Sequence, residues 1–206
     1  MLLAPAPVFG LRHIEAIQKF VINTGIQSAY DLDLESWSAE PQNIADLIRF
    51  LMQVTPDPCV ILSGDVHYAA TASLTVNLDP VGPTPRLPQL LRIAQFTSSA
   101  SKNSSGPLRF LPEGSRFSRS AHRTYWWRDQ PVPTVAHTPT PSKGKRAPDW
   151  SETYQVAGEK DIMLAENNIG MLVINSLTVD NHYRTAGGKE HFRTSWEPTV
   201  QSWPSG

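Results

Sequence analysis

An aspartate and a histidine one residue apart, Asp65 and His67, follow the apolar run Cys59-Val60-Ile61-Leu62-Ser63-Gly64. In extended backbone, residues two apart point to the same side, so a carboxylate oxygen and an imidazole nitrogen can converge there on one or two cations. Val66, between them, faces the other way, into the core. The plainer reading is that Asp65 caps a turn and His67 is a polar residue at a strand end. Spacing alone leaves both readings open.

A short strand has to deliver this pair. Residues 59–63 are apolar or small and lie between Pro56-Asp57-Pro58 and Gly64, as in a strand buried on both faces; Gly64 then lets the chain turn. Upstream, Ile44, Leu47, Ile48 and Leu51 share one side of a helix from about Pro41 to Gln53, with Pro41 at its first position. An earlier helix is predicted over 12–22 from Ile14, Ile17, Phe20 and Val21, ending near Gly25; its His13 and Glu15 read as solvated. Strand–helix–strand units build sheets with helices on their faces and gather functional loops at the carboxyl ends of strands, the kind of end where Asp65 and His67 fall. Beyond Tyr68 the pattern turns to β. Ala69–Asn77 alternates polar and apolar residues, and Leu91–Phe96, Met171–Ile174 and Leu177–Asp180 are further strands. The proline-rich loop Leu78–Leu90 separates the first two, and antiparallel hairpins are expected. The fold class is α/β, with α+β character in the C-terminal half, as a layered sheet with flanking helices.

Residues 105–150 carry no sustained period and read as one long loop, a flap or an insertion. Arg109, Arg116, Arg119, Arg123, Arg128, Lys143, Lys145 and Arg146 face only Glu113 and Asp129 up to Pro148, and Tyr125-Trp126-Trp127 lies among them. Basic segments with aromatics bind nucleic acid, anionic small substrates or their own domain. The formal charge of −1 lacks the basic excess of a nucleic-acid binder, which favours packing or a lid on the substrate side.

Four segments in order resemble the C-terminal part of PhoD-like alkaline phosphatases, a branch of the metallophosphoesterases. These are Asp33-Leu34-Glu35-Ser36-Trp37, the strand with Leu62-Ser63-Gly64-Asp65-Val66-His67-Tyr68, the run Gln95-Phe96-Thr97-Ser98-Ser99-Ala100-Ser101-Lys102-Asn103, and Glu166-Asn167-Asn168-Ile169-Gly170. The opening Leu2–Gly10 is similar to the strand and loop that precede this block. The resemblance implies a metal-dependent phosphate ester hydrolase with Asp65 and His67 as metal ligands, and iron and calcium as the metals. Asp33 and Glu35 could orient water or substrate, or form an acidic loop before a helix. Ser98, Ser99, Asn103 and Asn168 could give hydrogen bonds to phosphate or to the ligands, or form turns. The family's earlier motifs, an Asp-x-His, a Gly-Asp and a Gly-Asn-His, do not precede residue 31, and Asn181-His182 lacks the glycine. The expectation is therefore the C-terminal part of a longer enzyme, or a shortened open reading frame, with an incomplete metal site.

With 206 residues, one domain with an appended insertion is expected, long enough for a substantial core. The single cysteine, Cys59, excludes an intrachain disulfide. No apolar stretch approaches the roughly 20 residues that span a bilayer, and residues 2–9 lack a basic flank and carry two prolines, so they read as a strand rather than a signal peptide. Two alternatives compete: a non-catalytic fragment or interaction module that keeps the fold, and a serine hydrolase using Ser63, Ser98 or Ser99. The second lacks a Gly-x-Ser-x-Gly elbow.

Overall fold

The strand that leads to Asp65 is apolar on both faces because both faces are covered. The computed structural model describes residues 1–11, 24, 41–54, 57–64, 68–78, 90–98, 120–126, 134–136, 150–157, 164, 168–185, 187–188 and 190–198. The helix expected over 12–22 lies outside them. The elements are β1 (Leu2–Ala4), α1 (Pro41–Val54), β2 (Cys59–Ser63), β3 (Ala70–Leu78), β4 (Leu90–Thr97), β5 (Ser120–Trp126), β6 (Thr134–Ala136), β7 (Trp150–Val156), β8 (Asn168–Ile174), β9 (Val179–Thr185) and β10 (Glu190–Trp196). Seven strands form one mixed sheet in the order β1-β2-β4-β3-β7-β5-β6, with β1, β2 and β4 parallel and the remaining pairs antiparallel. β10-β9-β8 form a separate antiparallel sheet.

On one face α1 lays Ile44, Ala45, Ile48, Leu51 and Met52 against Cys59 and Ile61 of β2, Leu91 and Ile93 of β4, and Ala72, Leu74 and Val76 of β3. Full burial of Ile48 and Leu51 stabilises the fold by about 1.5–3 kcal/mol each. The helix's solvent side is held by local pairs, Gln42 Nε2 donating to Asp46 Oδ2 at 2.8 Å and Arg49 beside Asp46 at 3.4 Å. Among the described residues no helix is long and apolar enough to cross a membrane.

The expectation of flanking helices is corrected on the opposite face. α1 is the only helix among the described residues, and the second layer is the three-stranded sheet. Val60, Leu62, Ala94 and Phe96 meet Leu172, Val179 and Trp196 there. The physical reason lies in Thr71, which is fully buried on this face. Its hydroxyl needs polar partners in the facing layer, and β9 and β10 supply Tyr183 OH at 2.7 Å and Thr194 Oγ1 at 2.9 Å. The hairpin between β8 and β9 turns on Asn175, whose Oδ1 accepts from the backbone N–H of Leu177 and Thr178.

The single long loop over 105–150 is also corrected. β5 and β6 fall inside it, and β5 pairs with β7 so that Arg123 stands opposite Glu152 in the backbone register. β5 pairs with β7 and β6 with β5, so both strands are made by ladders built outward from β3, a non-local cause that a local period does not carry.

Candidate functional site

Three parallel strands end side by side. β1 runs into Ala4 and Pro5, β2 into Ser63 and Gly64, and β4 into Thr97 and Ser98. The backbone ties them past the ends of the ladders: Gly64 N–H donates to Pro5 O at 3.3 Å, and Ser98 N–H to Ser63 O at 3.1 Å. Ser63 Oγ and Thr97 Oγ1 are 2.8 Å apart. Gly64 is therefore presented at a fixed point where the chain leaves β2. Gly64 needs no special backbone conformation: Gly188 is the one described glycine with a positive φ, and a Cβ on Gly64 would meet Ser98 O at 3.7 Å and Pro5 O at 3.9 Å, ordinary contacts; the expected turn after it lies outside the described residues.

Gln95 holds the segment that follows β1. Its buried Oε1 accepts from the backbone N–H of Val8 and Phe9, both at 2.9 Å, and its Nε2 donates to Phe9 O at 2.8 Å and Thr97 Oγ1 at 3.2 Å. Tyr154 OH adds a bond to Gly10 O at 3.0 Å. Gln95 carries no role in the sequence reading, although it opens one of the family-like segments. The signal was a polar residue at an inward position of an otherwise apolar strand.

Ser98 and Asn168, read separately from sequence, meet. Ser98 Oγ donates to Asn168 Oδ1 at 3.0 Å and accepts from Gly170 N–H at 2.8 Å, joining the end of β4 to the start of β8 in the other sheet. Because the hydroxyl proton goes to an amide oxygen, which is not a base, this arrangement does not activate Ser98 as a nucleophile. Asp65, His67, Asp33, Glu35, Ser99 and Asn103 lie outside the described residues. Among the described residues no group of three or more His, Cys, Asp or Glu could hold a metal.

Deeper between the sheets, a directed chain of hydroxyls follows from their proton counts. Tyr183 OH donates to Ala70 O at 2.7 Å, so it accepts from Thr71, and Thr71 in turn accepts from Thr194. Burial pushes the Tyr183 hydroxyl far above the ordinary tyrosine range, against opposing hydrogen bonds from the Thr71 and Asn181 side chains and the Thr97 backbone, and it stays protonated. On the outer face of the second sheet, hydrogen bonding from Ser195 holds the Asp180 carboxyl below its ordinary value, helped by Arg193 at 3.3 Å and opposed by burial. At the far end of β4, Arg92 clasps Asp57: its Nε lies 3.2 and 3.0 Å from the two carboxylate oxygens and its backbone N–H 2.7 Å from Oδ1, while its Nη1 reaches Pro198 O.

Comparison with protein-family models, with curated proteins and with solved structures finds no match.

Proposed function

We propose that this chain is the C-terminal part of a metal-dependent phosphate ester hydrolase similar to the PhoD-like alkaline phosphatases. The observation that carries the reading is the strand-end cluster. Ser63-Gly64, the residues that introduce Asp65 and His67 in sequence, are tied to Ser98, and Ser98 is bonded to Asn168, so three of the four family-like segments meet at one edge. In this reading Asp65 gives a hard oxygen ligand and His67 a nitrogen ligand whose other ring nitrogen is held by an acceptor. A carboxylate with an imidazole suits iron, and carboxylate oxygens suit calcium. When bound, the metals supply the positive charge that assists in-line attack of water on phosphorus. Ser98 acts by holding the end of β4 against the end of β2, and Gln95 by holding Val8 and Phe9 after β1.

The test is hydrolysis of a chromogenic phosphate ester by the purified chain with iron, calcium, manganese or zinc added and then chelated, alongside metal analysis of the chain and of Asp65→Asn. Chelator-reversible turnover supports a working site in the chain itself. Metal retained by the parent and lost in Asp65→Asn, without turnover, supports a site that a further N-terminal part completes. Equal metal content in a folded parent and variant sinks the assignment. A second reading, an interaction module that keeps the fold without its chemistry, is favoured by one observation: the edge strand β8 exposes Ile169, Met171 and Val173 on one face.

A further inference from the structure

β8 ends the three-stranded sheet, so one of its edges has no neighbour among the described residues. Edge strands usually carry a charge, a proline or a bulge that blocks further pairing. β8 has neither charge nor proline, and it keeps register with β9 from Asn168 to Ile174 without a bulge.

The ladder shows which backbone groups that edge offers. At the hairpin, Asn175 N–H donates to Thr178 O at 3.1 Å, which makes Asn175 and Thr178 a hydrogen-bonded pair. Such pairs recur at every second residue, so Ile169, Met171 and Val173 turn their backbone groups toward β9, while Gly170, Leu172 and Ile174 turn theirs outward. Gly170 fits this alternation, because its N–H goes to Ser98 Oγ of the other sheet. The edge left for a partner is therefore Leu172–Ile174.

The side chains there are apolar and exposed: Met171 and Val173 on the outer face, and Ile174 beside the hairpin. The neighbouring charges on β9 and β10 are paired with one another, Asp180 with Arg193 at 3.3 Å, and Glu190 with His182 at 3.1 Å and Arg184 at 3.9 Å. A charged partner gains no counter-ion at this edge, whereas an uncharged apolar strand fits it, and β8 is itself such a strand.

We infer that β8 pairs antiparallel with β8 of a second copy, about a two-fold axis at Val173. Registers centred on Met171 or Leu172 bring a partner carbonyl to Gly170 N–H, which Ser98 Oγ already takes. Centring on Val173 lets Leu172 and Ile174 of the two copies form hydrogen-bonded pairs and sets Val173 against its counterpart in a non-hydrogen-bonded pair. Ile174 then extends the apolar margin at Leu172 in the partner subunit. So short a contact falls below the roughly 1,200 Å² of stable interfaces, so the dimer is weak and reversible. The inference uses neither Asp65 nor His67 and stands apart from the phosphatase reading.

Sedimentation equilibrium of the whole chain and of Val173→Lys tests it. The expected result is a reversible dimer with a Kd of about 10–100 μM, weakened about ten-fold or more in Val173→Lys, which opposes two lysines across the axis, with an unchanged circular dichroism spectrum. Cross-linking reads the register. With oxidised glutathione as the oxidant, itself reduced as the disulfide forms, Val173→Cys should link two copies, since Cα atoms of a non-hydrogen-bonded pair lie about 4.5 Å apart. Met171→Cys should not, because its two copies stand about 14 Å apart along the strands. A chain that stays monomeric at about 1 mM overturns the proposal. A dimer that a folded Val173→Lys leaves intact, or that Met171→Cys links as readily as Val173→Cys, overturns it too.

Discussion

Gly64 and Gly170 show how one residue type carries two meanings. Gly64 stands where a turn glycine is expected after an apolar run, yet its φ is not positive and a Cβ there meets only ordinary contacts. Gly64→Ala should therefore fold as the parent does, with stability unchanged or raised by up to about 1 kcal/mol in urea titration; a large loss would mean that the glycine is structurally required. Gly170, read only as part of a motif, is the position whose missing side chain matters, because Asn181 and Ser98 crowd it. Nothing within five residues of Gly170 reveals that, since Asn181 comes from the neighbouring strand and Ser98 from the other sheet. Ser98 and Asn168 were legible as candidates from their segments, but their bond to each other spans 70 positions. Cys59 was legible fully: it sits inward on β2, and burial raises its thiol above the ordinary value. A thiol-specific reagent should label it at a rate set by unfolding, slow in buffer and fast in denaturant; rapid labelling of the folded chain would contradict the packing of α1 on β2.

Among the elements, those built from local pattern were readable and those built by pairing were not. The apolar side of α1, the run of β2 and the alternation of β3 each satisfy a period within their own residues. β5, β6 and β7 gain their ladders from β3 outward, and β10 shows one face to Thr71 through Thr194, a polar residue at an inward position. The clasp of Arg92 on Asp57 has the same non-local character. It joins the segment before β2 to the start of β4, with side chains only 24% and 21% exposed, and Asp57 hydrogen-bonding raises the Arg92 guanidinium further above its ordinary value. Asp57→Ala should lower stability by about 1–3 kcal/mol, because the Arg92 backbone N–H and guanidinium both lose their acceptor. β9 and β10 carry a pH dependence of definite sign. The Asp180 carboxyl is held below its unfolded value by Ser195 and Arg193, so its contribution is present in full above the ordinary aspartate range and fades as pH falls through the lowered folded value. In acid titrations followed by circular dichroism, Asp180→Asn should lose less stability than the parent between about pH 5 and pH 2. Parallel curves would remove Asp180 from the account.

At the scale of the molecule, the central question is whether the two sheets behave as one cooperative body. The first core, between α1 and the larger sheet, is mainly apolar among the described residues, and the polar atoms of Gln95 and the Tyr154 hydroxyl within it are hydrogen-bonded. The second, between the sheets, is small: Ala94, Phe96, Val179 and Trp196, with Val60, Leu62 and Leu172 at its margin. Its apolar area is modest, and the hydroxyl chain through Thr71, Tyr183 and Thr194 supplies the remaining fit. Such a layer detaches easily if its few large side chains are cut, yet the polar groups it buries would then be exposed together, which favours all-or-none loss. Trp196→Ala separates these outcomes. The substitution should cost about 3–5 kcal/mol by removing the largest side chain of the second core. If the sheets unfold together, the urea midpoint falls while the slope of the transition keeps its parent value, because the same surface is still exposed in one step. A reduced slope, or a first transition that leaves the helix signal intact, would mean that β8, β9 and β10 come away separately. The strand-end cluster would then lose Asn168 and Gly170 before the larger sheet unfolds, and Ser98 would keep only its backbone tie to the end of β2.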